Sequence, residues 1–201
     1  MNIFITNTDP AKSATDLPDK LLVKMVLETA QILCTAHREL DGDQYADRHN
    51  LYKAAYTHHP AVKWVQTDFK AYWWTYALFV HLTYEYFLRY EKQHACADLT
   101  KPLQEIPKNI PRTSTTMYQL LRIAPLCMPD EYKTEYAYYY HGLGDMKYDL
   151  EKSYQRYLAL GKEYIKDATA WSKGRSAPDW FYKIRGVKKH TEQPEEKHDW
   201  E

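Results

Sequence analysis

The sequence is poor in cysteine and glycine, which number three and six among 201 residues. Cys34, Cys96 and Cys127 are odd in number and lack the spacing of a metal site, a pattern typical of a reducing compartment without structural disulfides. The glycines form no phosphate-binding loop, and the chain also lacks a nucleophile elbow, a zinc-type Cys/His arrangement and a helix with paired histidines. We therefore expect no metal and no cofactor, and any catalysis must depend on residues gathered from several elements.

An excess of either charge is also missing. Lys and Arg number 27 and Asp and Glu number 27, so the formal net charge is zero. This balance argues against a protein that coats nucleic acid through bulk charge, although a local basic patch stays open.

Long apolar runs are absent as well. The most apolar segment, Ala71–Leu88, is interrupted by four polar residues and is too polar to span a membrane. The first ten residues lack the basic and apolar regions of a signal peptide. We therefore expect a cytoplasmic protein that does not associate with a membrane.

Aromatic residues, in contrast, are abundant, with 19 Tyr and 6 Trp. Apolar residues make up 44% of a chain long enough to bury a substantial core. Tyrosines at this density either pack helices or stack on bases, and composition does not separate the two uses.

The strongest helix prediction covers Pro18–Arg38, an almost wholly apolar segment with one polar stripe. At about 100° per residue the stripe occupies roughly 80° of arc. It consists of Lys20, Lys24, Glu28, Gln31, Thr35 and Arg38. Either these side chains are solvated and pair along the helix, or they line a site.

A second helix, Tyr76–His94, repeats this spacing on an aromatic and aliphatic background. Its stripe consists of His81, Glu85, Arg89 and Lys92. The matched spacing predicts that the two helices pack together with their stripes facing one cavity.

The remaining pattern predicts a mainly α fold, a single-domain helical bundle with long loops and one short N-terminal strand. Residues 1–185 are expected to form a helical catalytic domain and residues 186–201 a charged, disordered tail. The expected elements are a strand at Asn2–Thr6, a helix at Ala11–Leu17, a loop with one helical turn over 39–60, a helical Ala61–His94 broken near Asp68–Tyr72, a loop at Asp98–Arg112, and helices at Thr113–Leu121, Glu131–His141 and Met146–Trp171, the last capped by Asp145.

Two histidines lie at predicted helix ends. His59, before Pro60, is placed either to bind or protonate an anion or to cap the following helix. His94 ends the second striped helix, where a cationic histidine also suits the helix dipole.

The C-terminal residues divide by charge. Trp171–His190 carries six Lys or Arg against one Asp, interleaved with four aromatic residues, whereas Thr191–Glu201 carries five acids against one lysine. The basic and aromatic part is typical of nucleic-acid contact. The alternative is an aromatic clasp that closes the core.

Five segments, spread over residues 1 to about 183, carry a resemblance to known proteins: MNIFITNTDPAKSATDLPDKLLVKMVLETAQILCTAH, HHPAVKW, EYFLRYEKQH, SYQRYLALGKEYI and GRSAPDWF. Together they resemble a phage-encoded family of small proteins associated with DNA modification or repair. The family includes amino acid:DNA transferases of phages that hypermodify thymidine, and similar proteins are labelled pyrimidine-dimer glycosylase-like.

The chain departs from the family pattern at Leu21, where a His or Arg is common, and at His58, where Asn is common. The first departure removes a polar side chain from that position. The positions that match are Asp19, Lys20, Lys24, Glu28, Gln31, His59, Pro60, Trp64, Glu85, Tyr86, Arg89, Tyr90 and His94.

The resemblance implies a transferase that joins a free amino acid to an activated, pyrophosphorylated 5-hydroxymethyluracil in DNA, in the cytoplasm of a phage-infected bacterial host. Cations would bind the leaving pyrophosphate, a carboxylate would free the amine, and aromatic rings would stack on the base. The candidate catalytic residues are Lys20, Lys24, Glu28, Gln31, His59, Glu85 and Arg89. The candidate base- and DNA-binding residues are Trp64, Tyr72, Trp74, Tyr90, His94, Trp171, Arg175, Trp180, Lys183 and Arg185.

Two alternatives remain open. One is a pyrimidine-dimer glycosylase-like repair enzyme, which needs an amine or a carboxylate to attack C1′ of the sugar. The other is a non-catalytic helical module that binds DNA or protein, in which both stripes are structural.

Overall fold

The fold is seen in a computed structural model that describes residues 1–135, 148–161 and 169–188. Within these ranges the chain forms nine α-helices and one two-stranded antiparallel sheet, which confirms the mainly α prediction. The helices are α1 (Pro10–Thr15), α2 (Asp19–Asp41), α3 (Asp43–Arg48), α4 (Pro60–Gln66), α5 (Phe69–Tyr90), α6 (Thr100–Leu103), α7 (Met117–Arg122), α8 (Leu150–Leu160) and α9 (Asp179–Arg185), and the strands are β1 (Thr134–Glu135) and β2 (Tyr148–Asp149). No helix in the described ranges is both long and apolar enough to cross a membrane.

The two long helices, α2 and α5, pack against each other at the centre of the fold, and α1 and α4 pack on them. Helix α2 follows the extended residue Pro18 and ends at Gly42, whose φ of 78° favours glycine. Helix α5 is capped by Asp68, whose carboxylate accepts hydrogen bonds from the backbone N–H groups of Lys70 (2.9 Å) and Thr113 (2.8 Å). The predicted interruption between the two aromatic helices therefore lies at residues 67–68.

Several local predictions differ from the structure. The second striped helix, expected to end at His94, ends at Tyr90. Residues 2–6 form no strand, and they are buried in succession rather than at alternate positions. Residues 131–135 form part of a 3₁₀ turn and β1 instead of a helix, and the rest of the predicted helix Glu131–His141 lies outside the described residues. The last long helix begins at Leu150, and its cap is Asp149 rather than Asp145. The expected loop at Asp98–Arg112 contains the short helix α6.

A buried histidine lies between α2 and α5. His37 is 2% exposed, its Nε2 lies 2.9 Å from the hydroxyl oxygen of Tyr72, and its ring stacks on Tyr45 with 5.0 Å between centroids. Burial lowers the pKa of His37 from 6.5 to about 4, so the ring is neutral in the folded protein near neutral pH.

This histidine makes stability depend on pH. Between pH 6.5 and about pH 4, His37 is protonated in the unfolded chain but neutral in the folded protein. The folded state therefore loses stability as the pH falls through this range. The loss attributable to His37 is about 3 kcal/mol. In urea denaturation at pH 7 and pH 4.5, His37→Gln should lose less stability on acidification than the wild-type chain. His58→Gln, a change at an exposed histidine, should follow the wild type; equal pH dependence in all three proteins would contradict the assignment.

Candidate functional site

Two amines and a backbone amide meet at one carboxylate on α2. Glu28 accepts a hydrogen bond from the backbone N–H of Asn2 at 3.1 Å, and the amino nitrogen of Met1 lies 3.8 Å from the same oxygen. Lys24, one turn earlier on the helix, places Nζ 3.4 Å from the other oxygen. The Glu28 side chain is 13% exposed and that of Lys24 is 65% exposed, so the group lies at the surface.

The beginning of the chain is held in this position from two sides. Residues 3–5 are buried in the core. The Asn2 side chain donates to the carbonyl of Cys127 at 3.0 Å and accepts from the hydroxyl of Tyr154 on α8 at 2.9 Å. These bonds orient the Asn2 backbone N–H toward Glu28.

His59 lies beside this group. Its Nδ1 accepts from the backbone N–H of Ala61 at 3.2 Å, so the capping interpretation is confirmed and the proton of the neutral ring is on Nε2. Burial lowers the pKa of His59, the positive charge of the amino terminus lowers it further, and Glu28 opposes both. We call Met1, Asn2, Lys24, Glu28 and His59 the amine–carboxylate cluster.

A second polar group is built around Arg89 on α5. Its Nε donates to Glu85 at 2.8 Å, and its Nη1 donates to Asp19 at 3.0 Å and to the carbonyl of Leu17 at 2.8 Å. Its Nη2 donates to the carbonyl of Thr15 at 3.0 Å. All three guanidinium nitrogens therefore bond within the protein.

The two acids of this group bind further partners from the segment before α9. Arg175 donates to both oxygens of Glu85, at 2.6 and 2.9 Å, while Asp19 accepts from the backbone N–H of Ser172 at 2.8 Å and from its hydroxyl. Burial raises the pKa of Glu85, but the hydrogen bonds from Arg175 and Arg89 outweigh it, so the net shift is downward. We call Asp19, Glu85, Arg89, Ser172 and Arg175 the buried ion cluster.

The two predicted stripes do not meet at one cavity. Lys24 and Glu28 of the α2 stripe belong to the amine–carboxylate cluster, whereas Glu85 and Arg89 of the α5 stripe belong to the buried ion cluster. The two clusters share no residue. Helical periodicity identifies residues on one face of a helix, but the direction of that face depends on how the helix packs.

The other stripe residues have separate environments. Lys20 and Lys92 are exposed, and Gln31 and His81 are half-buried. Arg38 is buried and donates to the carbonyls of Tyr52 at 2.7 Å and Leu51 at 2.8 Å.

The three aromatic residues expected to form a stacking wall are in the core. Trp64 donates from Nε1 to the carbonyl of Leu120 at 2.9 Å, and Trp74 donates to that of Thr8 at 2.8 Å. Tyr72 donates to the carbonyl of Leu103 at 2.8 Å. These residues are at most 5% exposed, so they pack the core.

Tyr90 and His94 pack at the end of α5. Tyr90 stacks on Tyr86 at 4.7 Å between centroids and donates to the carbonyl of Asp19 at 3.3 Å. His94 accepts from the backbone N–H of Cys96 at 3.1 Å and meets Tyr86 edge-on. Both residues make structural contacts here.

The aromatic residues before and within α9 form a clasp. Trp171 and Trp180 pack edge-on against Phe181, and Trp180 donates to Asp16 at 3.2 Å. Arg185 donates to the carbonyl of Ala159 on α8 at 3.1 Å. Together with the Glu85 contacts of Arg175, these bonds support the clasp interpretation for this part of the chain. The acidic tail, Thr191–Glu201, lies outside the described residues.

A groove between α8 and α9 has a different character. Its volume is about 610 Å³, and the described residues that line it include three cations and no acid. It is lined by Thr134, Lys152, Gln155, Arg156, Leu160, Trp180, Lys183 and Ile184. Helix α8 also secures the start of the chain through Tyr154 and through Gln155, which donates to the carbonyl of Thr6 at 2.9 Å. We call this the α8–α9 groove.

Sequence reasoning missed the part that Met1 and Asn2 have in the first cluster, and Lys152 and Arg156 in the groove. The contact between Asn2 and Glu28 joins residues 26 apart through an irregular segment, so no periodicity signals it. Arg156 is an ordinary exposed residue of an amphipathic helix. Within the described ranges no group of three His, Cys, Asp or Glu residues is arranged to hold a metal.

Comparison with known proteins gives one family match. Residues 1–98 match the family described as pyrimidine dimer DNA glycosylase, which is 98 of 201 residues. The matched part contains α1 to α5 and the whole amine–carboxylate cluster, but neither α8 nor α9. The match indicates a family that acts on DNA in modification or repair, and it agrees better with the glycosylase alternative than with the transferase. No curated protein and no solved structure matches significantly.

The buried ion cluster predicts that Arg89 supports stability. Arg89→Ala leaves Glu85 and Asp19 buried without this partner, so we expect a loss of about 3 to 5 kcal/mol in the free energy of unfolding, measured by urea denaturation. Lys92→Ala, at an exposed lysine just after the same helix, should change it by less than about 0.5 kcal/mol. Near-wild-type stability of Arg89→Ala with loss of activity on DNA would instead assign Arg89 to catalysis.

Proposed function

We propose that this protein is a DNA glycosylase acting on damaged pyrimidines, with the amine–carboxylate cluster as its catalytic centre. The observation that carries the proposal is the convergence of two amines, the α-amino group and Lys24 Nζ, on the Glu28 carboxylate. An amine beside a carboxylate is the nucleophile and proton acceptor that cleavage of a glycosidic bond by covalent catalysis needs. The family match of residues 1–98 supports the same chemistry.

The proposed step begins with an unprotonated amine. Its nitrogen attacks C1′ of the deoxyribose as the C1′–N1 bond breaks, and the bonding electrons leave with the pyrimidine, which takes up a proton. Glu28 accepts the proton that the amine releases and offsets the positive charge that develops at the sugar. Opening of the C1′–O4′ bond, with a proton added to O4′, then leaves an imine between the protein and C1′.

Of the two amines, the α-amino group is the better candidate nucleophile. α-Amino groups are ordinarily less basic than lysine side chains, so more of the neutral, nucleophilic form is present near neutral pH. Lys24 is also largely exposed, so its amine is held less firmly beside Glu28. In a chain that lacks Met1 the amine would be that of Asn2, whose nitrogen lies 3.1 Å from the same Glu28 oxygen.

His59 has a supporting part in this proposal. Burial and the positive charge of the amino terminus lower the pKa of His59, so near neutral pH its ring adds no positive charge beside the amine.

Borohydride trapping tests the reaction directly. With an oligonucleotide containing a cyclobutane pyrimidine dimer, reduction should fix the imine as a covalent protein–DNA adduct, and peptide mapping should locate it at residue 1 or 2. Glu28→Gln should reduce trapping by about 100-fold or more without changing the melting temperature. Glu39→Gln, at an exposed acid on the same helix, should trap like the wild type.

The other outcomes separate the competing functions. An adduct at Lys24 would support glycosylase activity but assign Lys24 Nζ, instead of the α-amino group, as the nucleophile. Pyrophosphate release from DNA carrying the activated base, with coupling of a free amino acid and no abasic sites, would establish the transferase expected from the sequence. DNA binding with neither reaction would identify a non-catalytic module.

We further propose that the α8–α9 groove contacts the DNA backbone. Arg156 and Lys183 are exposed cations above an apolar floor, and α8 connects the groove to the segment that holds Asn2. Arg175 and Arg185 are occupied by intramolecular hydrogen bonds, so they are weaker candidates for phosphate contacts than the sequence suggested.

Salt dependence tests the groove. Arg156→Ala with Lys183→Ala should weaken DNA binding and reduce the slope of log K against log salt by about 2, roughly one per phosphate contact. Lys53→Ala with Lys108→Ala removes the same charge at exposed sites outside the groove and should leave the slope unchanged. Equal slopes for both double variants would place the DNA on another surface.

A further inference from the structure

The outer face of α5 is apolar although it does not face the core. Five residues, Trp73, Tyr76, Val80, Tyr84 and Phe87, lie within roughly 80° of arc at about 100° per residue. Trp73 is 44% exposed, Tyr84 59% and Phe87 48%. The opposite side of the same helix supplies core residues, so α5 is apolar on both sides. We call these five residues the outer face of α5.

A groove runs along this face. Its volume is about 880 Å³, and four of the five residues line it, together with residues of the segment 93–104. Tyr76 donates to the carbonyl of Thr100 at 3.0 Å, which holds that segment beside the helix. Contiguous exposed apolar surface of this kind marks an interaction site.

The order of residues along the face is symmetric about Val80. Tyr76 and Tyr84 lie four residues on either side of Val80, and Trp73 and Phe87 lie seven residues on either side. Two antiparallel copies of α5 related by a two-fold axis at Val80 would therefore pair Trp73 with Phe87 and Tyr76 with Tyr84. A two-fold homodimer needs such a self-complementary patch, whereas an unrelated partner does not.

We propose that the outer face of α5 is a self-association interface, at which a second copy of this chain binds antiparallel across Val80. The seam spans 15 residues, from Trp73 to Phe87, or about 21 Å of helix. Among the described residues that line the groove, one is an acid, Asp98, and one is a base, Lys101. The chain has no net charge, so two copies approach without strong repulsion.

The exposed area indicates a weak dimer. With about 150 to 250 Å² per aromatic side chain, the three most exposed rings offer roughly 300 Å² per copy. The three rings of both copies together give roughly 600 Å², and the groove walls add at most a few hundred Å² more, which is the range of weak, transient contacts. The expected dissociation constant is therefore micromolar rather than nanomolar.

Sedimentation velocity up to about 200 μM protein tests the association, since a micromolar dimer is populated at that concentration. The wild type should shift from monomer to dimer. Val80→Arg and Val80→Glu should each weaken dimerisation by about 50-fold or more, because residue 80 meets its own copy at the two-fold axis and like charges face each other. An equimolar mixture of the two variants should dimerise again. Tyr118→Arg, at a 64% exposed aromatic residue on α7, should dimerise like the wild type.

Cross-linking tests the register. In a Cys127→Ser background, a short bis-maleimide should join two Val80→Cys chains. Trp73→Cys should cross-link to Phe87→Cys but not to itself.

Three results would overturn the proposal. They are a wild type that stays monomeric at the highest concentration, a Val80→Arg variant that still dimerises, and a mixture of the charge variants that stays monomeric. A monomeric wild type whose DNA affinity falls with Val80→Glu but not with Val80→Arg would assign the face to nucleic acid instead. None of these measurements depends on glycosylase activity.

Discussion

The guanidinium group of Arg89 is the point through which the central helices are held in one arrangement. It bonds the end of α1 through the Thr15 and Leu17 carbonyls, the start of α2 through Asp19, and its own helix through Glu85. Buried ion pairs add little net stability compared with apolar packing, but breaking one leaves a costly unpaired charge. The arrangement is therefore specific, because a shifted helix would leave a charge buried alone.

This constraint also positions the proposed catalytic centre. Asp19 is fixed at the start of α2, and Glu28 follows nine residues later, about 13 Å along the same rigid helix. With the rotation of α2 set at Asp19, Glu28 faces the segment that begins the chain. Two acids of α2 therefore have different roles. Asp19 is buried and orients the helix, and Glu28 is partly exposed and presents its carboxylate to the two amines.

The sequence predicted the two long helices and the break between α4 and α5 well, because periodicity and capping residues such as Asp68 are local signals. It failed where the local structure depends on pairing between separate segments. An example is Thr134–Glu135, which pairs with Tyr148–Asp149 to form the small sheet. It identified Glu28 and His59 as site candidates, yet their meeting with the start of the chain depends on tertiary contacts. It grouped Arg89 with them since a buried and an exposed arginine look alike in a helical pattern.

The aromatic residues also show what sequence spacing alone does not distinguish. Trp64 and Trp74 have the ring faces of a base-stacking wall, but their N–H groups bond to backbone carbonyls far along the chain. A tryptophan that completes such a bond inside the core cannot be told from one in a cleft by sequence spacing. Exposed aromatic residues on α5, in contrast, follow a periodic pattern that the inward-facing residues of the same helix obscure.

The contacts between the start of the chain and its last quarter have a consequence for folding kinetics. Asn2 meets Tyr154 across 152 positions, and Asp19 meets Ser172 across 153. Such closures raise the contact order of a largely helical protein, and contacts of this range form slowly because the chain entropy must be lost first. During synthesis Glu85 has Arg89 as a neighbour long before Arg175 emerges from the ribosome. Until then Glu85 lacks Arg175 and Asp19 lacks Ser172. The native contacts of the amino-terminal half are therefore completed only after the last quarter of the chain has been synthesised.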